Sequence, residues 1–582
     1  MLQYRPPLRD LEFILHEMFD AQGMLNALPC HAGIDAETIG QIAAEAGRFA
    51  AEEILPLNAG ADQIGCQWHN GAVTTPPGFA QAYGEFRELG WPSMCADIDD
   101  GGQALPRLVF SLVGEMLSTC SHAFAMYAAV NHCAASCLRH SASQTLRRQW
   151  LPRLASGQVI ASMCMTEPQA GSDIGLLTTK AVETEDGAYL VTGAKIFASG
   201  AEQDLTPNIM HLVLARLPDA PAGSRGLSLF LVPKVLEDGT PNQVVCDGIE
   251  HKMGLHGSAT CTMRFEQARG WLVGEPHQGL RAMFPMMNEA RLLSGLQALG
   301  LSELALQNSL EYARERRQGR SPSGQQPCPI IQHPDVQRML LVQKAWTEGA
   351  RAFTHWTAML LDVAQWHPDA QTRNDTADLI SLLTPLIKGF ITENAQQSIS
   401  LALQIHGGHG YIVETGIEQL ARDARITTIY EGTTGIQAQD LLQRKVLADD
   451  GRRLGLLNTT IKNWLSTCPA DPWVREFSDP LATALQDLNA ATVLLDQRKQ
   501  NGTDLSLAVS THYLRLMGHV VLALLWAKAA AAAQPKAHDD AWFAAKLTTA
   551  RFYYSHLLPE SRHLMAVIKA EPLHMEAAFE TV

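Results

Sequence analysis

The chain has 582 residues, with 45 Lys and Arg against 60 Asp and Glu, for a formal charge of −15. Hydrophobic residues make up 46% and charged residues 18%, a globular composition that excludes disorder over most of the length and permits large cores without staples. A surface of that sign repels phosphate backbones, so no nucleic-acid partner is expected.

Met1 to Asp20 carries Arg5, Arg9, Asp10 and Glu12 among its apolar residues, which is not the pattern of a signal peptide. Asp35 is placed to cap a helix whose apolar positions Ile39, Ile42, Ala43, Ala46, Phe49 and Ala50 recur at helical spacing, and Pro56 is expected to end it. A second run, Leu108 to His140, is apolar nearly all round and is expected deep inside. These elements make an N-terminal helical domain, 1–162.

After Met163 the texture changes. Lys180–Glu185 and Ala188–Thr192 flank Asp186-Gly187, a hairpin signal, and His211–Arg216 and Leu227–Val232 read as further strands, continuing to about Val273. This is a central antiparallel β-domain, 163–278. Helical periodicity returns over 279–449, broken by Gln318–Pro329 and by the glycines near Gly407. Residues 450–582 are Ala- and Leu-rich, with 13 basic and 13 acidic side chains, so the acidic excess lies wholly upstream. They read as a C-terminal helical extension. Its most apolar stretch, Met517–Trp526 between Arg515 and Lys528, reads as too short to span a bilayer, and no stable membrane insertion is expected. The class is α+β multidomain. Alternating βαβ units and a GxGxxG are both missing, which excludes a Rossmann fold. Eleven cysteines without a CxxC pair fit a reducing, cytoplasmic location and argue against a structural zinc.

Three segments carry candidate chemistry. In Met163–Asp173 (MCMTEPQAGSD), Thr166 and Ser172 supply hydroxyls and Gly171 lets a ligand approach the backbone; an ordinary Pro/Gly turn explains the segment equally well. In Gln404–Tyr411 (QIHGGHGY), paired glycines can cradle a phosphate through backbone N–H groups. His406 and His409 lack a third ligand at a recognisable spacing, so no metal is expected. In Arg422–Gln437 (RDARITTIYEGTTGIQ), Glu431 lies between Tyr430 and Gly432 after an apolar approach. Desolvation would raise the pKa of such a carboxylate, which makes it a candidate general base.

Taken together, TEPxAGSD at Thr166–Asp173, GGxGY at Gly407–Tyr411 and RDARxxxIYEGT at Arg422–Thr433 resemble the acyl-CoA dehydrogenase family of flavoproteins, over about residues 35 to 447. Tyr4–Glu17 and the C-terminal extension resemble the subgroup of larger bacterial members similar to 3-methylmercaptopropionyl-CoA dehydrogenase. The resemblance implies non-covalent FAD, an acyl-CoA substrate, electron-transfer flavoprotein as acceptor, a role in fatty-acid β-oxidation, and a homodimer in which each subunit completes its neighbour's cofactor site. It implies flavin contacts at Met163, Met165, Thr166 and Ser172. Phe197 and Ser199 match positions lining the flavin ring, where family members often carry Trp and Thr. Arg316 matches an arginine reaching the neighbour's diphosphate, with Gln404, Gly407 and Gly408 beside it and Thr433 as a further cofactor contact. Gln318-Gly-Arg320 departs from the common Thr-Phe-Gly there. Ser172, Arg291 and Gly432 are implied on the substrate side.

Glu431 matches the catalytic base. Some branches carry the base just before the arginine at 291, but that residue here is Ala290. Glu289, one position further back, points about 100° away on a helix. An acyl-CoA oxidase of similar fold, reoxidised by O₂, is the nearest alternative. A flavin-bearing nucleic-acid-binding protein would call for a basic C-terminal domain, whereas this one balances to zero.

Overall fold

The computed structural model describes residues 2–468, 471–500, 506–570 and 579; the rest of the expected C-terminal extension lies outside the described residues. The chain forms two compact units. The first comprises Met1–Leu8, Ile34–Asn308 and Gly407–Thr427, and the second Arg9–Gly33, Ser309–His406 and Thr428–Val582. The four sequence blocks therefore do not map one to one onto compact units: the N-terminal arm and the Gly407–Thr427 segment each leave their sequence neighbours.

In the first unit the Asp35 carboxylate accepts a hydrogen bond from Thr38 N at 2.8 Å and caps helix Ala36–Phe49. The helix does not stop at Pro56. A π-turn over Ala50–Ile54 shifts the ladder, Leu55 N donates to Ala50 O, and Pro56 falls in the first turn of a new helical stretch, Leu55–Ile64, where a missing N–H is tolerated. A two-stranded hairpin follows, β1 (Gln67–His69) and β2 (Ala72–Thr74), for which the sequence showed no pattern. The apolar run is two helices, Arg107–Cys120 and His122–Ser141, divided at Ser121, whose hydroxyl caps the second. Both are buried over most of their length.

The β-block holds β3 (Val159–Cys164), β4 (Lys180–Glu183), β5 (Tyr189–Ser199), β6 (Asn208–Arg216), β7 (Leu227–Pro233), β8 (Val244–Ile249) and β9 (Thr260–Val273). Pairings β6–β4–β5–β9–β7–β6 close a ring, with β3 on β6 and β8 on β9. The ladders are antiparallel except where β3 runs parallel to β6 and where β4 meets it at Lys180↔Arg216. The period-two alternation of side chains gives β6 two cores. Met210, Leu212 and Leu214 pack with Leu138, Trp150, Leu154 and Met283 from helices, while Val213 and Ala215 pack with Phe230 and Phe265 from the sheet.

The second unit is helical. The C-terminal extension packs directly onto the preceding helices: Arg452 and Arg453 pair with Asp375 and Asp378, and Trp526 Nε1 donates to Ala345 O at 3.3 Å. The apolar stretch near Met517 belongs to helix Ser510–Ala533. By length and composition it is able to cross a membrane, which corrects the expectation that it is too short; here it is a core helix, with 83% of its apolar window buried. The N-terminal arm is anchored in the same unit by ionic groups. Arg351 donates to Asp10 at 2.6 Å, and Lys546 bridges Asp10 and Glu348, 2.7 Å from the latter, with its ammonium 4.9 Å from the Trp542 ring centre. Burial alone would raise the Asp10 carboxyl; Lys546 and Arg351 overcome it and hold it well below the usual carboxylate range.

Candidate active site

In the first unit, two of the segments implied at the flavin lie side by side. Met163 pairs with Leu212 one step before the parallel ladder of β3 ends at Cys164↔Val213, and Met165 and Thr166 follow the strand. Ile196 N donates to Thr166 O at 2.9 Å, which joins this run to β5 next to Phe197. Below them sits a salt bridge absent from the sequence reading. Lys195 and Glu167, with side chains 0% and 2% exposed, meet at 2.9 Å. Lys195 also donates to Met165 O at 3.1 Å, and the carboxylate accepts further from Gln169 Nε2 at 2.7 Å and from the backbone N–H and hydroxyl groups of Thr178 and Thr179. Burial pushes the Glu167 carboxyl up, but Lys195 and these donors bring it far below its ordinary value, so it is ionised. Lys and Glu inside an apolar stretch were the only sequence signal of this lock.

Phe197 stands on a bulge in β5, where the register to β9 jumps between Lys195 and Ala198. Its φ is +57° and its ring is 59% exposed. A left-handed aromatic residue is strained by about 1–3 kcal/mol. The bulge leaves a large ring exposed; Ser199 stands two residues on in β5, and Thr166 is tied to the adjacent Ile196. Ser172 lies on an exposed loop, and Arg291 lies half-buried on helix Gly279–Glu315. Glu289 on the same helix is committed elsewhere: Arg107 pairs with its carboxylate, Ser136 Oγ donates to it at 2.6 Å, and His132 Nε2 lies 3.4 Å away. Burial, with Arg107 and Arg139 nearby, holds His132 well below its usual pKa and hence neutral.

Gly407 and Gly408 are exposed on a short 3₁₀ turn, and a Cβ built on either would meet nothing. Gly407, with φ +58°, takes a conformation that side chains resist. The next helix, Ile417–Arg425, carries the start of the third motif, and its charged residues are structural. Arg422 grips Asp62 at 2.6 and 3.0 Å and Glu418 at 2.6 and 2.8 Å. The buried Asp423 carboxylate accepts from Leu255 N at 2.6 Å and from Gln419 at 3.2 Å. Burial raises the Asp423 carboxyl to about 6, opposed by the Leu255 N–H, with Asp62 adding repulsion and Arg422 relieving it.

Because the folded pKa lies above the unfolded value of 3.8, the stability this group contributes is complete below pH 4 and lost as pH rises through about 6. Asn in its place can still accept from Leu255. Asp423→Asn should therefore match the wild type near pH 4 and exceed it by roughly 2–3 kcal/mol above pH 7. Denaturation curves at both pH values check this; a difference that does not change with pH contradicts it.

In the second unit, Arg316 and Gln404 are exposed at the ends of two helices that meet through the Tyr312–His406 ring stack, 4.4 Å between centroids. Leu310, Ala313, Leu401 and Ile405 surround the stack. His406 Nδ1 lies 2.9 Å from Ala402 O. Among the described residues no group of three His, Cys, Asp or Glu is arranged to hold a metal. Glu431, Gly432 and Thr433 form the turn before helix Thr434–Gln439, which Thr433 caps. Glu431 has φ +55° and Gly432 φ +90°. A left-handed glutamate is the second strained non-glycine residue among the residues singled out, and strain of this kind collects where function holds it.

Four family domains tile the chain: acyl-CoA dehydrogenase N-terminal domain over residues 36–158, middle domain over 162–268, C-terminal domain over 277–446, and acetyl-CoA dehydrogenase C-terminal-like over 454–577. A 3-methylmercaptopropionyl-CoA dehydrogenase of Ruegeria pomeroyi is 39% identical over 96% of this chain and 97% of its own length. The broad-specificity linear acyl-CoA dehydrogenase FadE5 of Mycobacterium tuberculosis is 32% identical, with both chains covered in full. In fold, the chain is similar to Caenorhabditis elegans ACDH-11 in complex with C11-CoA, with a TM-score of 0.79 at 19% identity over 100% of this chain and 96% of that one. The chain belongs to the acyl-CoA dehydrogenase family and is an FAD-dependent oxidoreductase acting on acyl-CoA. The residues fit that cofactor: an exposed aromatic ring suits the flavin ring, and open glycine backbone and an exposed arginine suit a diphosphate.

Proposed function

We propose that the chain oxidises a saturated acyl-CoA to the trans-2-enoyl-CoA, with Glu431 as the base that removes the α-proton. The observation that carries the assignment is the contrast between two carboxylates. Glu431 is presented in a strained turn at the family's base position, whereas Glu289 is already paired with Arg107. Phe197, Ser199, Thr166 and Met165 would hold the flavin ring, and Arg316, Gln404, Gly407 and Gly408 the diphosphate of a neighbouring subunit; Met163, Ser172 and Thr433 would complete the cofactor contacts. Bound FAD supplies the acceptor for the β-hydrogen, which leaves as hydride. Glu431 takes the α-proton, and its backbone N–H donates to the thioester carbonyl, where enolate-like charge develops. Arg291, Ser172 and Gly432 would orient the substrate.

In this reading the chain is a homodimer serving fatty-acid oxidation in the cytoplasm, supported by its eleven free cysteines, and passes electrons to electron-transfer flavoprotein. The name of the Ruegeria relative favours short acyl groups, thioethers among them, as substrates. The purified protein should be yellow, release FAD and not FMN on denaturation, and scatter light as at least a dimer. A folded, colourless preparation that cannot be reconstituted with FAD, or an active FAD-bound monomer, contradicts this. Reduced enzyme should reoxidise rapidly with electron-transfer flavoprotein and slowly with O₂; fast peroxide release would favour the oxidase reading instead.

A further inference from the structure

We infer that Gln437 is a positioning residue for this reaction, acting through the backbone of Glu431. The inference rests on the reading of Glu431 as the base. Gln437 is fully buried, and its Nε2 donates to Glu431 O at 2.8 Å and approaches Gly432 O at 3.4 Å. Both partners are acceptors only, so the amino end of the amide must face them, and only a donor serves at this place. The two carbonyls belong to consecutive left-handed residues, at φ +55° and +90°. A turn of that kind is held from outside rather than by its own preference.

Anchoring the Glu431 carbonyl sets ψ at Glu431 and with it the direction in which the Cα–Cβ bond carries the carboxylate. The contact is close on every side. A Cβ at Gly432 would come 2.8 Å from Gln437 Nε2, and one at Gly389 would lie 3.6 Å from Gln437 Cβ. The far end of the turn is tied independently, since Thr434 Oγ1 donates to Glu393 at 2.6 Å. Charged and titratable groups on the elements around helix Thr434–Gln439 are Lys388 in the π-turn Ile387–Ile391, Glu393 on helix Thr392–His406, Asp440 beyond Gln437 itself, and Arg515 and His519 on helix Ser510–Ala533.

The test uses FAD-loaded holoenzyme and butyryl-CoA or octanoyl-CoA, whichever bleaches the wild-type flavin faster. Gln437→Met keeps the length and removes the donor. It should stay yellow with near-normal KM while kcat falls about 10²-fold, the scale of a misplacement near 1 Å. Gln437→Glu restores a donor only when protonated, and burial places that titration between about pH 6 and 9. Its rate relative to wild type should therefore rise as pH falls, a signature that mere loss of packing would not give. A kcat within threefold of wild type for Gln437→Met overturns the inference, as does a pH-independent ratio for Gln437→Glu. Should Gln437→Met not fold, the Gln437→Glu ratio decides alone. Glu431→Gln separates the two levels. If it is inactive while Gln437→Met is normal, only the positioning role fails; if it is active, the base assignment itself fails.

Discussion

Glu431→Gln should give a folded, yellow protein that binds acyl-CoA and no longer reduces its flavin at a useful rate. The α-proton of a thioester is weakly acidic, and the β-hydrogen cannot leave as hydride until that proton is removed. Gln preserves the size and the backbone N–H but takes no proton. Loss of a general base alone lowers rates about 10²–10⁴-fold. The upper end is expected here, because the carboxylate at the alternative base position is committed elsewhere: Glu289 is neutralised by Arg107 and hydrogen-bonded by Ser136 at 2.6 Å. Glu289→Gln is the matching control and should keep most of the activity. Rapid-mixing measurement of flavin bleaching under anaerobic conditions reads both. Near-normal bleaching by Glu431→Gln with none from Glu289→Gln would reassign the base while leaving the family intact.

Lys195→Met should lower stability by about 3–5 kcal/mol, because it strands a buried carboxylate whose charged partner is gone. Glu167 would keep the neutral Gln169, Thr178 and Thr179 donors, which soften the loss without cancelling the charge. Met165 O would also lose its donor, so the run that carries Met165 and Thr166 should loosen and FAD affinity should fall with stability. Adding Glu167→Gln to the same chain removes the stranded charge and should recover part of the loss. In the wild type the sign with pH is fixed by the lowered Glu167 carboxyl. The stability it contributes is present above the ordinary carboxyl value of 4.5 and is lost as pH falls below it. Denaturation midpoints and FAD retention on gel filtration check this; an unchanged midpoint would show that the pair contributes nothing.

Much of this was readable from residue order. Helices, a β-block and more helices follow from hydrophobic period, and Asp35 caps where its side-chain chemistry says it should. The three motifs located the turn at Glu431 and the glycines at 407 and 408. What stayed hidden was decided by contacts far apart in sequence. Nothing near Pro56 announces the π-turn that carries the helix past it. Helix Ser510–Ala533 looked shorter than it is because Arg515 and Lys528 break its apolar run, yet Arg515 is drawn to Glu560 and Asn394. Arg422 and Asp423 read as part of a catalytic signature, and the structure shows them holding Asp62 and Leu255. Gln437 carried no signal at all, since a glutamine matters here only through the two carbonyls that its amide meets.

The most direct test of the account is an anaerobic titration of the yellow holoenzyme with saturated acyl-CoAs from short to long, including a thioether analogue, followed at the flavin absorbance and by mass analysis of the product. The account predicts that at least one member bleaches the flavin and yields one enoyl-CoA, two mass units lighter, per flavin reduced. A fully FAD-loaded protein that no acyl-CoA in the series bleaches would contradict it.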